Sequence, residues 1–274
     1  MKMPPHRRVE ITTIALGVLC TTLVIVGILL RPQLGPWLLA VIALGGLILN
    51  GRKDSLDRKR FSVERFKAPI EHLNDDSSGL RLGGVHELNH ITAFSDTDQN
   101  TAAALLCGFL QIWTAHGEGR NPTTGLLSIE VIAAIESIRS RRRLTTDKPL
   151  NLAGVHIPGA NLHAAYLPDA TLSLADITSA DLREATLTDA DLTGAILTKA
   201  NLTEADLHGA RLGDARLPGT DLTRANLRGA DLTDVILVDT ILDGADLRDT
   251  IGLTPLQLTH ARTDAKTLLP WPNQ

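Results

Sequence analysis

Apolar positions along this 274-residue chain follow three successive patterns. The first is continuous. From Ile11 to Leu30, "ITTIALGVLCTTLVIVGILL" carries no charge, and a helix of that length reaches about 30 Å, enough to cross a bilayer core. "RPQLGP" turns the chain. A second run follows, Trp37 to Leu49, or 16 residues counted from Leu34. As a helix it reaches roughly 24 Å, which calls for a thin bilayer or shallow insertion. Trp37 suits the membrane interface. The pattern predicts a transmembrane hairpin over residues 1–50, with spans at about 11–30 and 34–49 and lipid contact through residues 11–49. The first run is too long for a signal-peptide core, and no A-x-A site follows it.

The second pattern has a helical period and covers residues 51–149. "SVERFKAPIEHL" places Val63, Phe66, Ile70 and Leu73 on one face, with Pro69 as a kink. "GLRLGGVHELNHITAF" is a second helix and "DTDQNTAAALLCGFLQIWTAH" a third, capped by Thr97 or Asp98. "HGEGRNPTTG" is a loop. "LSIEVIAAIESIRSRRR" is a fourth helix, with Ser128 at its start and Arg141, Arg142 and Arg143 at its C-terminal dipole. Without interleaved aromatics, that arginine run reads as a solvated helix end and not as a nucleic-acid patch.

The third pattern counts in fives over residues 150–250. Every fifth residue from Leu152 to Leu247 is Leu, except Ile157 and Ile177. Ala stands two positions earlier in fifteen of these twenty pentads; Leu150, Val155, Thr220, Val235 and Thr240 are the exceptions. Neither a helix nor a flat strand returns one residue to the interior at that interval. The chain must turn a corner every five residues, so four corners close a square coil. Leu then fills the axis, and Ala sits where the interior is narrow. Five coils at the β-sheet spacing stack to roughly 24 Å. The Asp column before the central Leu (Asp176, Asp181, Asp191, Asp206, Asp221, Asp231, Asp246) reads as corner chemistry, each carboxylate bonding a nearby backbone amide.

Composition agrees with this division. Aromatics are 3% of the chain, too few for an ordinary core, and identical aligned side chains make them unnecessary in the coils. Residues 1–149 carry a formal balance of +4 and residues 150–250 one of −9. Lys2, Arg7 and Arg8 precede the first apolar run, only Arg31 lies between the two, and seven basic residues follow from Arg52 to Lys67. The positive-inside rule puts both termini in the cytoplasm, so the expected location is the inner (plasma) membrane, multi-pass. Cys20 and Cys107 are too far apart in sequence to suggest a disulfide framework or a C-x-x-C metal pair, and they read as reduced, packed thiols.

One short motif points elsewhere. His86-Glu87-Leu88-Asn89-His90 matches H-E-x-x-H, in which two helical histidines bind zinc and the glutamate acts as general base. On a helical wheel, Leu82, Val85, Leu88 and Ile91 fill one arc, and His86 and His90 fall opposite it. The extended peptidase pattern asks for glycine and a third histidine where this chain has Ala93 and Asp96. Glu130 and Glu136 are the remaining candidates for a third ligand. The motif reads as a solvated helix face, with catalysis by Glu87 and metal at His86 and His90 as the alternative. No Ser-His-Asp set, P-loop or dinucleotide fingerprint appears, so neither an enzyme nor a cofactor is expected.

The A-[DN]-L-x-x pentads over residues 150–249 resemble the pentapeptide-repeat family. The resemblance implies a right-handed quadrilateral β-helix. "GLTPLQLTHARTDAKTLLP", Gly252 to Pro270, is similar to that family's recurrent ending. Thr254 followed by Pro255 starts a helix that would cover the open coil edge, within a cap over 251–274. "ERFKAPIEHL…LRLGGVHELNHI" resembles the helical domain preceding such repeats in bacterial, especially actinobacterial, membrane proteins. There the positions of His86, Glu87 and His90 are usually tyrosine, alanine and arginine, so no family metal site is implied.

The expected fold is therefore mixed: two transmembrane helices, a small all-α domain, a pentapeptide-repeat solenoid and a C-terminal helical cap. The expected role is a non-catalytic, membrane-anchored scaffold whose acidic rod meets an unknown cytoplasmic protein. Outward residues such as Arg183, Glu184, Lys199, Glu204, Arg224 and Arg228 would set specificity. The resemblance also implies an alternative, a DNA mimic that binds a type II topoisomerase.

Overall fold

A computed structural model describes residues 56–271, apart from 95, 116–118, 122–123, 142 and 145–146. The apolar runs at 11–30 and 34–49 lie outside the described residues. Among the described residues no helix is long and apolar enough to cross a membrane. The chain divides into two compact units, Met1–Leu105 and Leu106–Gln274. The later part of the helical segment thus belongs to the same unit as the coils.

In the first unit, helix α1 (Leu56–Leu73) packs on helix α2 (Ser78–Phe94), and helix α3 (Asp96–Thr114) begins. The helical spacing buries Phe66 and Leu73 of α1 and Val85 and Leu88 of α2. Pro69 lacks an N–H to donate, yet α1 continues through it to Leu73. Gly84 makes the close crossing possible. A Cβ there would stand 2.9 Å from the Pro69 carbonyl oxygen and 3.0 Å from the Leu73 nitrogen. Arg81, 8% exposed, closes the turn between the helices by donating to the carbonyls of Asp75 and Asp76 at 2.9 and 2.8 Å. Helix α3 starts at Asp96, so Thr97 and Asp98 lie inside its first turn and do not cap it. Asp98 instead pairs with Arg65.

In the second unit the pentads form the square coil that the five-residue period requires. Residue i bridges residue i+20 in parallel, from Asn151↔Thr171 onward. Two backbone bonds seal each step: Leu152 N–H donates to Thr171 O at 2.7 Å, and Thr171 N–H to Leu150 O at 2.8 Å. Within the pentad, Val155 N–H returns to Leu152 O at 3.4 Å and closes the corner. The central Leu or Ile and the residue two before it face inward, and all are buried. Thr220 and Thr240 occupy the alanine column without leaving a buried hydroxyl unpaired. Their Oγ1 atoms donate to Leu197 O and Leu217 O, both at 2.7 Å.

A corner with φ > 0 at its third residue is a type II pattern, which favours glycine. Residues 154, 159 and so on to 249 all take that conformation, seven as glycine and thirteen as other residues. Asp fills six of those thirteen, as a short polar side chain tolerant of this region. This constraint is invisible in the A-[DN]-L-x-x spacing, because the fifth position varies freely.

Both ends of the stack are closed. The end of α3, helix α4 (Ile129–Arg139) and the residues just after α4 together meet the first coil on all four sides. Gln111 donates to Ala153 O at 3.1 Å, and the His156 amide donates to Thr114 Oγ1 at 2.9 Å. Arg139 donates to His163 O at 3.4 Å, and Arg141 to Tyr166 O at 3.0 Å. The expected solvated arginine end is therefore corrected for Arg141. Its side chain is 4% exposed and lies 3.6 Å from Asp147, while Arg143 stacks over the Tyr166 ring at 5.0 Å. Arg142 lies outside the described residues. Ser128 stands at the N-cap position of α4 but makes no side-chain capping bond.

At the far end, Thr254 and Gln257 form a capping box on helix α5 (Pro255–Leu258), as the Thr-Pro start predicts. This four-residue helix is too short to cover the edge alone. The tail instead makes an irregular sixth coil. Ile251 bridges Asp231, Arg262 bridges Ile241 and Leu268 bridges Asp246, so the step lengthens from 20 residues to 21 and then 22. Beside α5, the Gln257 amide donates to Val235 O at 3.0 Å and Asp239 N–H to His260 O at 2.8 Å.

Two substitutions probe this architecture. Leu202→Ala, in a fully buried column, should cost about 2–5 kcal/mol in urea unfolding through lost burial and a cavity. Gly252→Ala should destabilise the C-terminal end, because φ is +74° and the added Cβ would lie 2.6 Å from the Thr233 Cα. Hydrogen exchange at Leu232 and Asp231 should accelerate in that variant before the central coils change.

Candidate interaction surface

Each pentad forms one side of the coil and presents three residues outward: one before the central residue and two after it. The first side is centred on Leu152, Leu172, Leu192, Leu212 and Leu232. The second is centred on Ile157 and its successors, the third on Leu162 and the fourth on Leu167. Position −1 performs the corner chemistry expected of the Asp column. Asp176, Asp191, Asp221 and Asp231 accept from the backbone N–H two residues on, at 2.9–3.1 Å. Asn151, Asn161 and Asn201 do the same.

Several outward charges are engaged with one another. Arg183 forks onto Asp181 at 2.9 and 2.7 Å, and Arg248 onto Asp246 at 2.9 and 2.6 Å. Arg224 pairs with Glu204 one coil away, Arg211 with Asp191 and Arg228 with Asp249. Of the residues expected to carry specificity, Arg183, Glu204, Arg224 and Arg228 are therefore held by neighbouring carboxylates or guanidinium groups. Glu184 and Lys199 are exposed. Pairing lowers the acids. The Arg183 side chain, against the cost of partial burial, holds Asp181 below the ordinary carboxylate range, and Arg248 does so for Asp246. At Asp191 burial pushes upward, but the Thr193 hydroxyl and amide with Arg211 outweigh it and the net direction is down.

Charge is not spread evenly around the coil. The first, third and fourth sides each carry an excess of three negative charges. On the second side Lys199 and Arg216 balance Asp176 and Asp239. That side also holds Ile196, Pro218, Ile236 and Val238, with Ile236 and Val238 43% and 44% exposed. At its start, His156 Nδ1 lies 2.7 Å from Asp176 Oδ2 and Nε2 lies 3.0 Å from Arg120. This sidedness is legible once the sequence is written in rows of twenty; the five-residue register alone conceals it.

The H-E-x-x-H residues lie on α2. His86 and His90 are exposed, and Glu87 places a carboxylate oxygen 3.2 Å from His72 Nδ1. Glu130 is buried, and Glu136 is bound by Arg139. Among the described residues no group of three His, Cys, Asp or Glu side chains could hold a metal ion. Cys107 is buried, and burial raises its thiol to about 12, which keeps it protonated and unreactive.

The family model of pentapeptide repeats matches in eight copies over residues 151–183, 158–194, 185–224 and 210–249. A pentapeptide repeat protein from the Arabidopsis thaliana thylakoid lumen is 30% identical, over 39% of this chain and 74% of that one, with a TM-score of 0.38. One from the cyanobacterium Cyanothece 51142 is 31% identical over 46% of this chain and 67% of that one, with a TM-score of 0.24. QnrB1, a plasmid-mediated fluoroquinolone resistance protein, is 17% identical over 45% and 59%, with a TM-score of 0.40. No curated protein matches the chain. The chain belongs to the pentapeptide-repeat family, and its coils are that family's right-handed quadrilateral β-helix.

The paired acids set a pH dependence. Asp181 and Asp246 have folded-state values lowered from the ordinary one. Their contribution is present above about pH 4 and is lost as pH falls through the folded values. Thermal midpoints should therefore drop on going from pH 7 to pH 2.5. In the double variant Arg183→Ala, Arg248→Ala that drop should be smaller, with the two proteins converging at the acid end.

Proposed function

We propose that the chain is a membrane-anchored, non-catalytic scaffold that presents its β-helix to a protein partner in the cytoplasm. One observation carries the interaction role. A rigid, uniform interior of Leu and Ala holds an exterior of varied residues at fixed spacing, with three acidic sides and one of zero net charge. Such a surface recognises by shape and charge pattern. The anchor rests on the uncharged runs at 11–30 and 34–49 and on the basic residues around them. In this reading H-E-L-N-H is a solvated helix face: among the described residues no third ligand joins His86 and His90, and Glu87 is engaged with His72.

A second reading, a DNA mimic that occupies a type II topoisomerase, is favoured by the −9 balance of residues 150–250. The neutral second side interrupts that field, so the scaffold is the preferred function.

Four measurements test this. The full-length protein should stay with membranes through an alkaline carbonate wash; release to the supernatant would remove the anchor. Cross-linking in those membranes should capture a protein partner that is lost when Asp169 and Asp189, exposed on the acidic fourth side, are both changed to Lys. Inhibition of gyrase supercoiling at stoichiometric amounts would instead establish the mimic. Zinc content should be far below one per chain; near-stoichiometric zinc that disappears in His86→Ala, His90→Ala would send the assignment to a metallopeptidase.

A further inference from the structure

The charge-balanced second side has the features of a surface for another copy of this chain. Two copies approaching through the first, third or fourth sides would bring together faces with an excess of three negative charges each. The second side has no such excess, and its exposed apolar residues gather in its last coils, at Ile236 and Val238.

The order of residues along that side is self-complementary. The third coil presents Ile196 and Lys199, the fourth Arg216 and Pro218, and the fifth Ile236, Val238 and Asp239. Parallel bridges Ile196↔Arg216 and Arg216↔Ile236 set these rungs in one column, about 4.8 Å apart. We propose that two chains associate second side to second side, with antiparallel coil axes, about a twofold axis through the Arg216–Pro218 rung. Such an axis brings the third coil of one copy onto the fifth of the other. Ile196 then lies on the partner's Ile236 and Lys199 on the partner's Asp239, each contact made twice, as an isologous interface requires.

Arg216 sits on the axis, where two guanidinium groups would otherwise repel. It stands at the border with the first side, where Asp214 and Asp234 are exposed. In the twofold pair it faces the same border of the other copy, and its natural partners are that copy's Asp214 and Asp234. The cationic centre is thus answered on both sides by carboxylates.

The size of the face sets the strength. With the axis through the fourth rung, the third to fifth coils of the two copies face one another, a length of about 14 Å at the strand spacing. So small a face lies below the size of standard specific interfaces, in the range where association is weak and transient. Association is therefore weak in dilute solution and is aided where anchored copies share a membrane. The proposal concerns contacts between copies and does not depend on the identity of any other partner.

Sedimentation velocity of the full-length chain in detergent micelles, at low salt and over a hundredfold concentration range, tests it. A monomer–dimer equilibrium should appear. Lys199→Glu and Asp239→Lys should each weaken it by about tenfold through like-charge contacts, and one chain carrying both changes should recover the original affinity. Ile236→Asp should abolish the dimer, while Thr188→Asp on the opposite side should leave it within about twofold. Circular dichroism and melting of each variant should match the parent, so that lost folding is not read as lost association. A chain that stays monomeric throughout overturns the proposal. A dimer indifferent to these changes overturns it too, by placing association elsewhere, such as the apolar hairpin. So does a double variant that fails to recover.

Discussion

The five-residue return of a buried leucine governs the second unit. One large aliphatic side chain per pentad reaches the axis, and one alanine per pentad lets the wall come close to it. Both columns are buried along the whole stack. Because all four sides meet the same demand, the chain is driven into equal corners. The ladder of bonds between residues 20 apart then follows from geometry. The corner residues accept an unfavourable backbone region thirteen times without glycine. Each such residue outside glycine costs of order 1 kcal/mol or more, and the continuous core and ladder must offset it. The coils hold together as a stack; a single coil would not.

Much of this is legible in the sequence, and the reasons differ by element. Leu and Ala positions declare the coil because a period of five has no other common solution. The Asp and Asn column declares the corner, since those side chains bond the amide two residues on. The helices α1 to α4 follow from apolar spacing, although their boundaries do not: Asp96 starts α3 ahead of the residues that resemble caps. Arg141 is opaque to sequence. A run of three arginines after a helix looks solvated, and only the position of the first coil shows that Arg141 is buried against Asp147 and the Tyr166 carbonyl. The irregular sixth coil is equally hidden, because its step lengthens to 21 and 22 residues and the repeat no longer announces it.

The candidate surface was half visible. The acidic excess is a sum over residues and needs no structure. Its distribution needs the assignment of each pentad to a side. Surface ion pairs such as Arg224 with Glu204 contribute little to stability at exposed sites. Their effect is to fix long side chains against the wall and to leave a patterned, ordered exterior. The neutral second side emerges from the same assignment, with its apolar residues gathered toward the C-terminal coils.

The square cross-section also disciplines how such a chain can change in length. A duplication of twenty residues inserts a whole turn and leaves every later residue on its original side. A duplication of five is just as compatible with the Leu and Ala columns, yet it rotates all that follows by a quarter turn. Asp239 would leave the side of Lys199, and the balanced face would be divided between two walls. The interior cannot distinguish the two events, whereas the exterior is rewritten by one of them. Repeat number in this architecture is thus a steering variable for surface chemistry, separable from the requirements of folding.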